Sequence, residues 1–403
     1  MTRSVYFSAP SVLCAAGASA SELWNSCVSG NQGGIRRVSA ANGKPFFAAR
    51  IDDRLLAPSS ARYDMRIMRI EEAALRQLEP QILAAKEKYG VRRVGVCIGS
   101  CDNGTEFSVA GHRTYFEAGA FGAQYSLEIQ GADYVATFAA EKYGLEGPAL
   151  AFSTACSSSA GAIIKAAELV RAGICDAVVA GGVDIASDTV LLGFDSLEAV
   201  SPEITNPFSR NRRGITLGEA AAFFVLSADD FPSGAPAVEL LGYGESADGW
   251  HMTSPDPSGA GASSAMRRAL ESAGIPASAV DYVNLHGTGT KFNDSMEAAA
   301  VAATFGDHPV PVSTTKPLTG HTLGAAGALE AAVCWLAIAE NAGRPADEVR
   351  LPVQVWDGEA DAALPPLHFV SAENQKSTGT VRVCMSNSFA FGGANASLIL
   401  GLR

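Results

Sequence analysis

The chain has 403 residues, 47% hydrophobic and 18% charged, with a formal net charge of −12. That is enough apolar material for one large α/β domain or two ordinary ones, and the wrong balance for a disordered chain. The acidic surplus excludes the basic footprint of a nucleic-acid binder, and no apolar run approaches the ~20 residues of a membrane span.

The opening residues, MTRSVYFSAPSVLCAAG, turn polar too soon for a signal peptide and read as a first buried strand. A helix is expected over Arg66–Gln77. Arg62, Arg66 and Arg69 stand near one side of it at i, i+3 or i+4 spacing, either as a local patch for an acidic protein or as a solvated helix face. Arg210, Arg212 and Arg213 form a second cluster, either such a patch or a structural element. Strands are expected at Val94–Ile98, Ala149–Phe152, Ala177–Ala180, Tyr282–Leu285, Val310–Ser313 and Val381–Met385, and helices at Ser158–Arg171, Ser263–Ala273 and Leu323–Ala339. This alternation, punctuated by glycine-rich turns, indicates the α/β class. A segment rich in Asp, Ser, Gly and Pro, Ser227–Pro236, divides the chain into residues 1–235 and 236–403. Ala160–Ala167 (AGAIIKAA) is echoed by Ala326–Val333 (AGALEAAV), a short match that either duplication or chance supplies.

The eight cysteines, Cys14, Cys27, Cys97, Cys101, Cys156, Cys175, Cys334 and Cys384, form no CxxC pair and no zinc-type cluster. Buried free thiols in a reducing cytoplasm are the simplest reading. Cys156 differs from the rest. In ALAFSTACSSSAGA it follows an apolar strand and opens a helix of small residues, where backbone N–H groups at the helix dipole's positive end favour a thiolate. It is a candidate nucleophile, with an inert buried thiol as the alternative. His286 (DYVNLHGTGT) and His321 (VSTTKPLTGHTLGAAGALE) each sit in a glycine-rich turn, His286 at the end of a strand. They suit hydrogen-bond donation to a substrate, or alternatively satisfaction of a buried carbonyl. His112, His251, His308 and His368 lack such a context. A metal site finds no carboxylate motif beside these residues, and a cysteine protease leaves one histidine unexplained. Neither a metal nor a cofactor is expected.

Together these segments resemble the β-ketoacyl synthases, the Cys-His-His condensing enzymes of fatty-acid and polyketide synthesis. Six motifs stand in the family's order: TACSSS; NPFSRNRRGITLGEAA; SADGWHMTSPDPSG; HGTGTKFND; TTKPLTGHTLGAAGALE; and NSFAFGGAN. The resemblance implies a thiolase-like fold of two related halves in five layers, α-β-α-β-α. It also implies a homodimer, or a heterodimer with a related subunit. Cys156 would accept an acyl group from acyl carrier protein, and His286 and His321 would stabilise the enolate left by decarboxylation of malonyl-carrier protein. Backbone N–H groups of Cys156 and Phe391 would hold the oxyanion, and Phe391 would gate the acyl pocket. Lys316 and Glu330 match the family's lysine and glutamate, the lysine keeping the imidazoles neutral; a structural ion pair is the other reading. Asp294 is expected to cap a helix starting near Ser295. Carrier proteins are acidic, so the docking patch is placed on Arg62, Arg66 and Arg69.

Lys291 stands where the family commonly has proline and Asn293 where it has glycine; GEAAA replaces GEGAG, and serines follow Cys156. These departures point to a specialised polyketide or polyene branch. A non-catalytic partner subunit would lack the cysteine. A thiolase would need a second cysteine within the C-terminal glycine-rich loop, and an initiation-type Cys-His-Asn enzyme would lack His321.

Overall fold

The computed structural model describes residues 3–123, 125–230, 236–374 and 379–402. The division expected between 235 and 236 falls at the edge of residues outside that set. One twelve-stranded sheet is built from two similar blocks. In the first, Val94–Gly99 pairs in parallel with Ala149–Phe152 and Ala177–Asp184, and Ala177–Asp184 pairs antiparallel with Ala220–Ser227. In the second, Tyr282–Asn284 pairs in parallel with Pro311–Ser313 and Val383–Phe389. That last strand runs antiparallel to Ala394–Gly401, which in turn pairs with Glu239–Ala247. The repeated order gives the weak sequence echo a structural counterpart. The two-residue strand Tyr6–Phe7 pairs with Ala220–Ser227 on one side and Glu239–Ala247 on the other, joining the blocks.

Helices Ser158–Arg171 and Ala326–Ala339 pack on each other between the two blocks. Arg66–Tyr89 and Tyr134–Tyr143 cover the outer face of the first block, and Ala260–Ala273 and Lys291–Phe305 that of the second. The result is the five-layered α-β-α-β-α arrangement. Ala177–Asp184 and Ala220–Ser227 are buried on both faces, so they read as nearly unbroken apolar runs rather than alternating ones. Helix Ala326–Ala339 buries every residue up to Ile338, which is why its sequence is apolar on all sides.

The long helix runs well past Gln77, to Tyr89. Pro80 does not end it, because the proline stands on the exposed face while Leu78, Ile82 and Ala85 continue the buried stripe. The helix expected from Leu323 begins with a 3-10 turn over Leu323–Ala325. The same turn, Ala155–Ser157, precedes the other central helix. Each turn opens on a non-glycine residue with positive φ, Ala155 at 51° and Leu323 at 52°. Such strain concentrates where a side chain must be aimed. No described helix is long and apolar enough to cross a membrane.

Candidate active site

Cys156 lies on the first of the two matching turns, and His321 stands two residues before the second. The turns can meet because the contacts beneath them are made by glycine and other small residues. A Cβ on Gly327 would lie 2.7 Å from the Ala160 nitrogen, and one on Gly99 would lie 2.3 Å from the Ser159 nitrogen. Ser159 Oγ accepts the Ala328 N–H across the helix pair at 2.9 Å. His321 is fixed at both ends of its backbone. Its N–H donates to the Thr216 carbonyl at 2.6 Å, and its carbonyl accepts from Gly218 N–H at 3.0 Å. Its Nε2 then lies 3.1 Å from Cys156 Sγ.

His286 follows strand Tyr282–Asn284. The Glu297 carboxylate accepts its N–H at 2.8 Å and the Gly287 N–H at 2.7 Å, clamping a turn in which Gly287 has φ 40°. The two imidazoles stand edge to face with centroids 5.3 Å apart. One donor atom from each of Cys156, His286 and His321 lies within 4.8 Å of the others.

The tautomers follow from the bonds at Nδ1. Leu323 N–H donates to His321 Nδ1 at 3.1 Å, and Lys316 Nζ donates to His286 Nδ1 at 3.4 Å. Each neutral ring therefore carries its proton on Nε2 and presents an N–H. A ring so held has no lone pair to offer a metal from that side. Burial, reinforced by the Lys316 charge, holds both imidazoles well below the usual histidine range, so they stay neutral. Lys316 and Glu330 form a buried ion pair. Burial pushes the Glu330 carboxyl up to about 7 against the pull of Lys316.

Burial raises the Cys156 thiol to about 11, opposed by N–H groups of Phe391 and Cys156 itself. The nucleophile rests as a thiol, not as the thiolate that the helix position alone suggested. Phe391 stacks on Phe194 at 5.7 Å and lines, with the triad, a cavity of about 320 Å³. The SADGWHMTSPDPSG block positions this loop: Gly392 N–H donates to the Met252 carbonyl at 2.8 Å, and Asn395 Nδ2 to Asp248 at 2.7 Å.

Asp294 does not cap a helix at Ser295, because that helix starts at Lys291. Its carboxylate accepts from Phe208 N–H at 2.7 Å and Gly289 N–H at 3.1 Å, bracing the histidine turn against the NPFSRNRRG loop.

The arginine patch also needs correcting. Arg66 is only 16% exposed in its side chain. It forks onto buried Glu219 at 2.9 and 2.7 Å and also pairs with Asp53, so it braces the fold and does not face a partner. Arg62 and Arg69 stay at the surface, paired with Glu128 and Asp64.

Two functional residues escaped the sequence reading. Asp184 accepts the Cys101 and Gly324 N–H groups at 2.8 Å each, tying the Leu323–Ala325 turn to the loop that follows strand Val94–Gly99, and burial raises it to about 7. Glu297 is the histidine clamp described above, and burial raises it to about 8. The signal available was an isolated acid in an apolar stretch, Asp184 ending eight buried strand residues and Glu297 on a buried helix face.

Residues 3–230 match the family description "Beta-ketoacyl synthase, N-terminal domain", and residues 237–347 match "Beta-ketoacyl synthase, C-terminal domain". The chain is 33% identical to 3-oxoacyl-[acyl-carrier-protein] synthase 2 of Coxiella burnetii, covering 99% of this chain and 98% of that one. It is 39% identical to nodulation protein E of Rhizobium meliloti, over 63% of this chain and 62% of that one. It is also similar to the solved structure of a ketosynthase in complex with its chain length factor from Xenorhabdus doucetiae. There the identity is 37% and the TM-score 0.87, covering 100% of this chain and 98% of that chain.

Removing one partner of a buried ion pair leaves the other charge without compensation. Glu330→Gln should therefore lower unfolding stability in urea by about 3–5 kcal/mol, and adding Lys316→Met should restore most of it. An unchanged midpoint in the single variant would show that the pair does not stabilise the fold.

Proposed function

The chain belongs to the β-ketoacyl synthase family, and on that premise we propose how its residues divide the work of condensation. The observation that carries the reading is the meeting of one thiol and two neutral imidazoles, each ring with an N–H, at a single cavity.

In the first half-reaction Cys156 Sγ attacks an acyl thioester. The N–H groups of Cys156 and Phe391 hold the tetrahedral oxyanion. Collapse transfers the acyl group to sulfur, and the proton of the Cys156 thiol ends on the departing carrier thiol. His321 Nε2–H supports the charge on sulfur during attack, a role open to it because its proton faces Sγ. In the second half-reaction malonyl thioester enters, and the Nε2–H groups of His286 and His321 donate to its thioester oxygen. Carbon dioxide leaves, and the electron pair it leaves behind forms an enolate held by the two donors. The enolate carbon attacks the acyl group, the Cys156 sulfur departs as thiolate and takes a proton from solvent, and a β-ketoacyl thioester results. Lys316 keeps the rings uncharged and Glu330 holds Lys316. Phe391, stacked on Phe194, gates the acyl pocket.

The substrates are acyl and malonyl groups on acyl carrier protein, in keeping with the name of the Coxiella burnetii relative. The likeness to a ketosynthase paired with its chain length factor, and the departures at Lys291 and Asn293, favour a polyketide or polyene branch. A reducing cytoplasm suits eight cysteines that are all free. Residues 1–235 and 236–403 are taken as the nucleophile half and the histidine half, an assignment supported by the repeated strand order.

The partner face is assigned to helix Thr105–Ala118, which has no buried residue, and to the edge strand Ala149–Phe152. Phe116 is 83% exposed there, and Tyr115, Phe121 and Tyr125 stack on one another at its flank. So large an apolar surface calls for a second chain, identical or related.

Cys156→Ala should form no acyl-enzyme by intact mass but should still release carbon dioxide from malonyl-carrier protein. His286→Ala and His321→Ala should each slow condensation by roughly 10²–10³-fold while Cys156 still loads. Acylation of the alanine variant would remove Cys156 from the mechanism. Since both rings stay neutral, decarboxylation should show no inflection near the ordinary imidazole pKa of ~6.5.

For docking, Arg62→Glu with Arg69→Glu should raise KM for carrier-borne acyl groups and spare a small thioester; equal losses on both would assign these arginines to the fold.

Sedimentation should give a two-chain assembly, alone or with a related subunit, that Leu150→Asp breaks. A monomer under both conditions would remove the partner face.

A further inference from the structure

The two imidazoles are oriented by different means. His286 is held within its own half, its main chain by Glu297 and its Nδ1 by Lys316. The His321 main chain is fixed by Thr216 and Gly218, but those bonds leave the ring free to turn. What fixes the ring is the Leu323 N–H, which donates to Nδ1 at 3.1 Å and leaves Nε2 facing Cys156 Sγ at 3.1 Å. The aim of the His321 Nε2–H therefore depends on where one peptide points.

That peptide is awkwardly placed. Leu323 has φ 52°, in the left-handed region that residues with a side chain disfavour. Such a residue keeps its conformation only where the surrounding bonds hold it from both sides. On one side is the bond to His321. On the other, the Gly324 N–H donates to Asp184 Oδ2 at 2.8 Å. The same oxygen accepts the Cys101 N–H at 2.8 Å, and Oδ1 accepts that of Ile185 at 3.2 Å. Asp184 is 1% exposed, and a Cβ on Gly324 would stand 2.8 Å from its Oδ2, so the carboxylate and the turn are in close contact.

We propose that Asp184 is a positioning residue for His321: it holds the Gly324 N–H, and through it the Leu323 peptide that sets the tautomer and direction of the imidazole. The inference rests on the condensing reading above and assigns a residue to its decarboxylation step. Asp184 is not among the described residues that line the triad cavity, so it acts on the substrate only through the ring. It ends a strand of the first half, whereas His321 belongs to the second. The nucleophile half thus aims one of the two donors of the histidine half. What the place requires is one oxygen with two lone pairs, which a carboxylate or an amide supplies and a hydrocarbon does not.

The test reads carbon dioxide release from malonyl-carrier protein and, separately, loading of Cys156 by intact mass. Asp184→Leu, which keeps the branched shape, should slow decarboxylation about tenfold to a hundredfold, the cost of misaiming one donor. Cys156 should still load. Asp184→Asn keeps the oxygen and should lose little. Added to His321→Ala, Asp184→Leu should cost nothing more, whereas added to His286→Ala it should cost its full factor. In ¹⁵N spectra of histidine-labelled protein, the signal that His321→Ala removes should move towards a mixture of tautomers in Asp184→Leu. The His286 signal should stay where it is. Equal loss of loading and decarboxylation, an undiminished cost beside His321→Ala, or equal effects of asparagine and leucine would overturn the proposal. So would a failure of both Asp184→Leu and the smaller Asp184→Ala to fold, which would assign Asp184 to the fold alone. If the unaltered protein neither loads nor releases carbon dioxide, the condensing reading fails, and the proposal with it.

Discussion

The active site depends on the close approach of two helix starts in the middle layer, a contact that only small side chains permit. Gly327 against Ala160, and Gly99 and Gly182 against Ser159, leave no room for a Cβ where each glycine stands. The strained residues Ala155 and Leu323 then turn the chain so that Cys156 and His321 project toward each other. Asp184, at the end of a first-block strand, fastens the second turn by accepting the Gly324 N–H together with that of Cys101. The alanine-rich composition that first looks like mere helix propensity is therefore a packing requirement.

Burial sets the chemistry of what this contact brings together. It disfavours charge on both imidazoles, raises the thiol, and leaves Lys316 and Glu330 as a pair because neither charge could stand alone there. The site consists of hydrogen-bond donors fixed in direction, and it needs no histidinium. Its donors are oriented by backbone: Leu323 N–H for one ring, and for the other the Glu297 clamp on its main chain. That is preorganisation of the kind that stabilises developing negative charge.

Most of the site was legible in the sequence because the reacting groups lie in short contiguous motifs with glycines around them. Cys156, His286 and His321 could each be placed on a turn before any fold was known. The parts that escaped depend on contacts between distant segments. Arg66 sits at helix spacing with two other arginines, yet the buried acid it serves, Glu219, lies 153 residues away. Asp294 was assigned to a helix start four residues late, because Lys291 and Asn293 are poor signals for one. The thiolate expected at Cys156 failed for a similar reason. Helix position could be read from local sequence, but the burial that outweighs it comes from the opposing half.

The two-residue strand Tyr6–Phe7 bears on how the molecule is made. It is held on one side by Leu226 and Ser227 and on the other by Glu239, so the amino end of the chain is sealed between segments made much later. A nascent chain that has emerged only as far as Ser227 can complete the strand order of its first block. It still presents the far edge of Tyr6–Phe7 unpaired, with the sheet open at that edge. Synthesis must go on to Glu239–Ala247 before that edge is covered, and to Ala394–Gly401 before the next one is. For a chain of this size, such late closure is where a ribosome-bound intermediate is most exposed to wrong pairing with its neighbours.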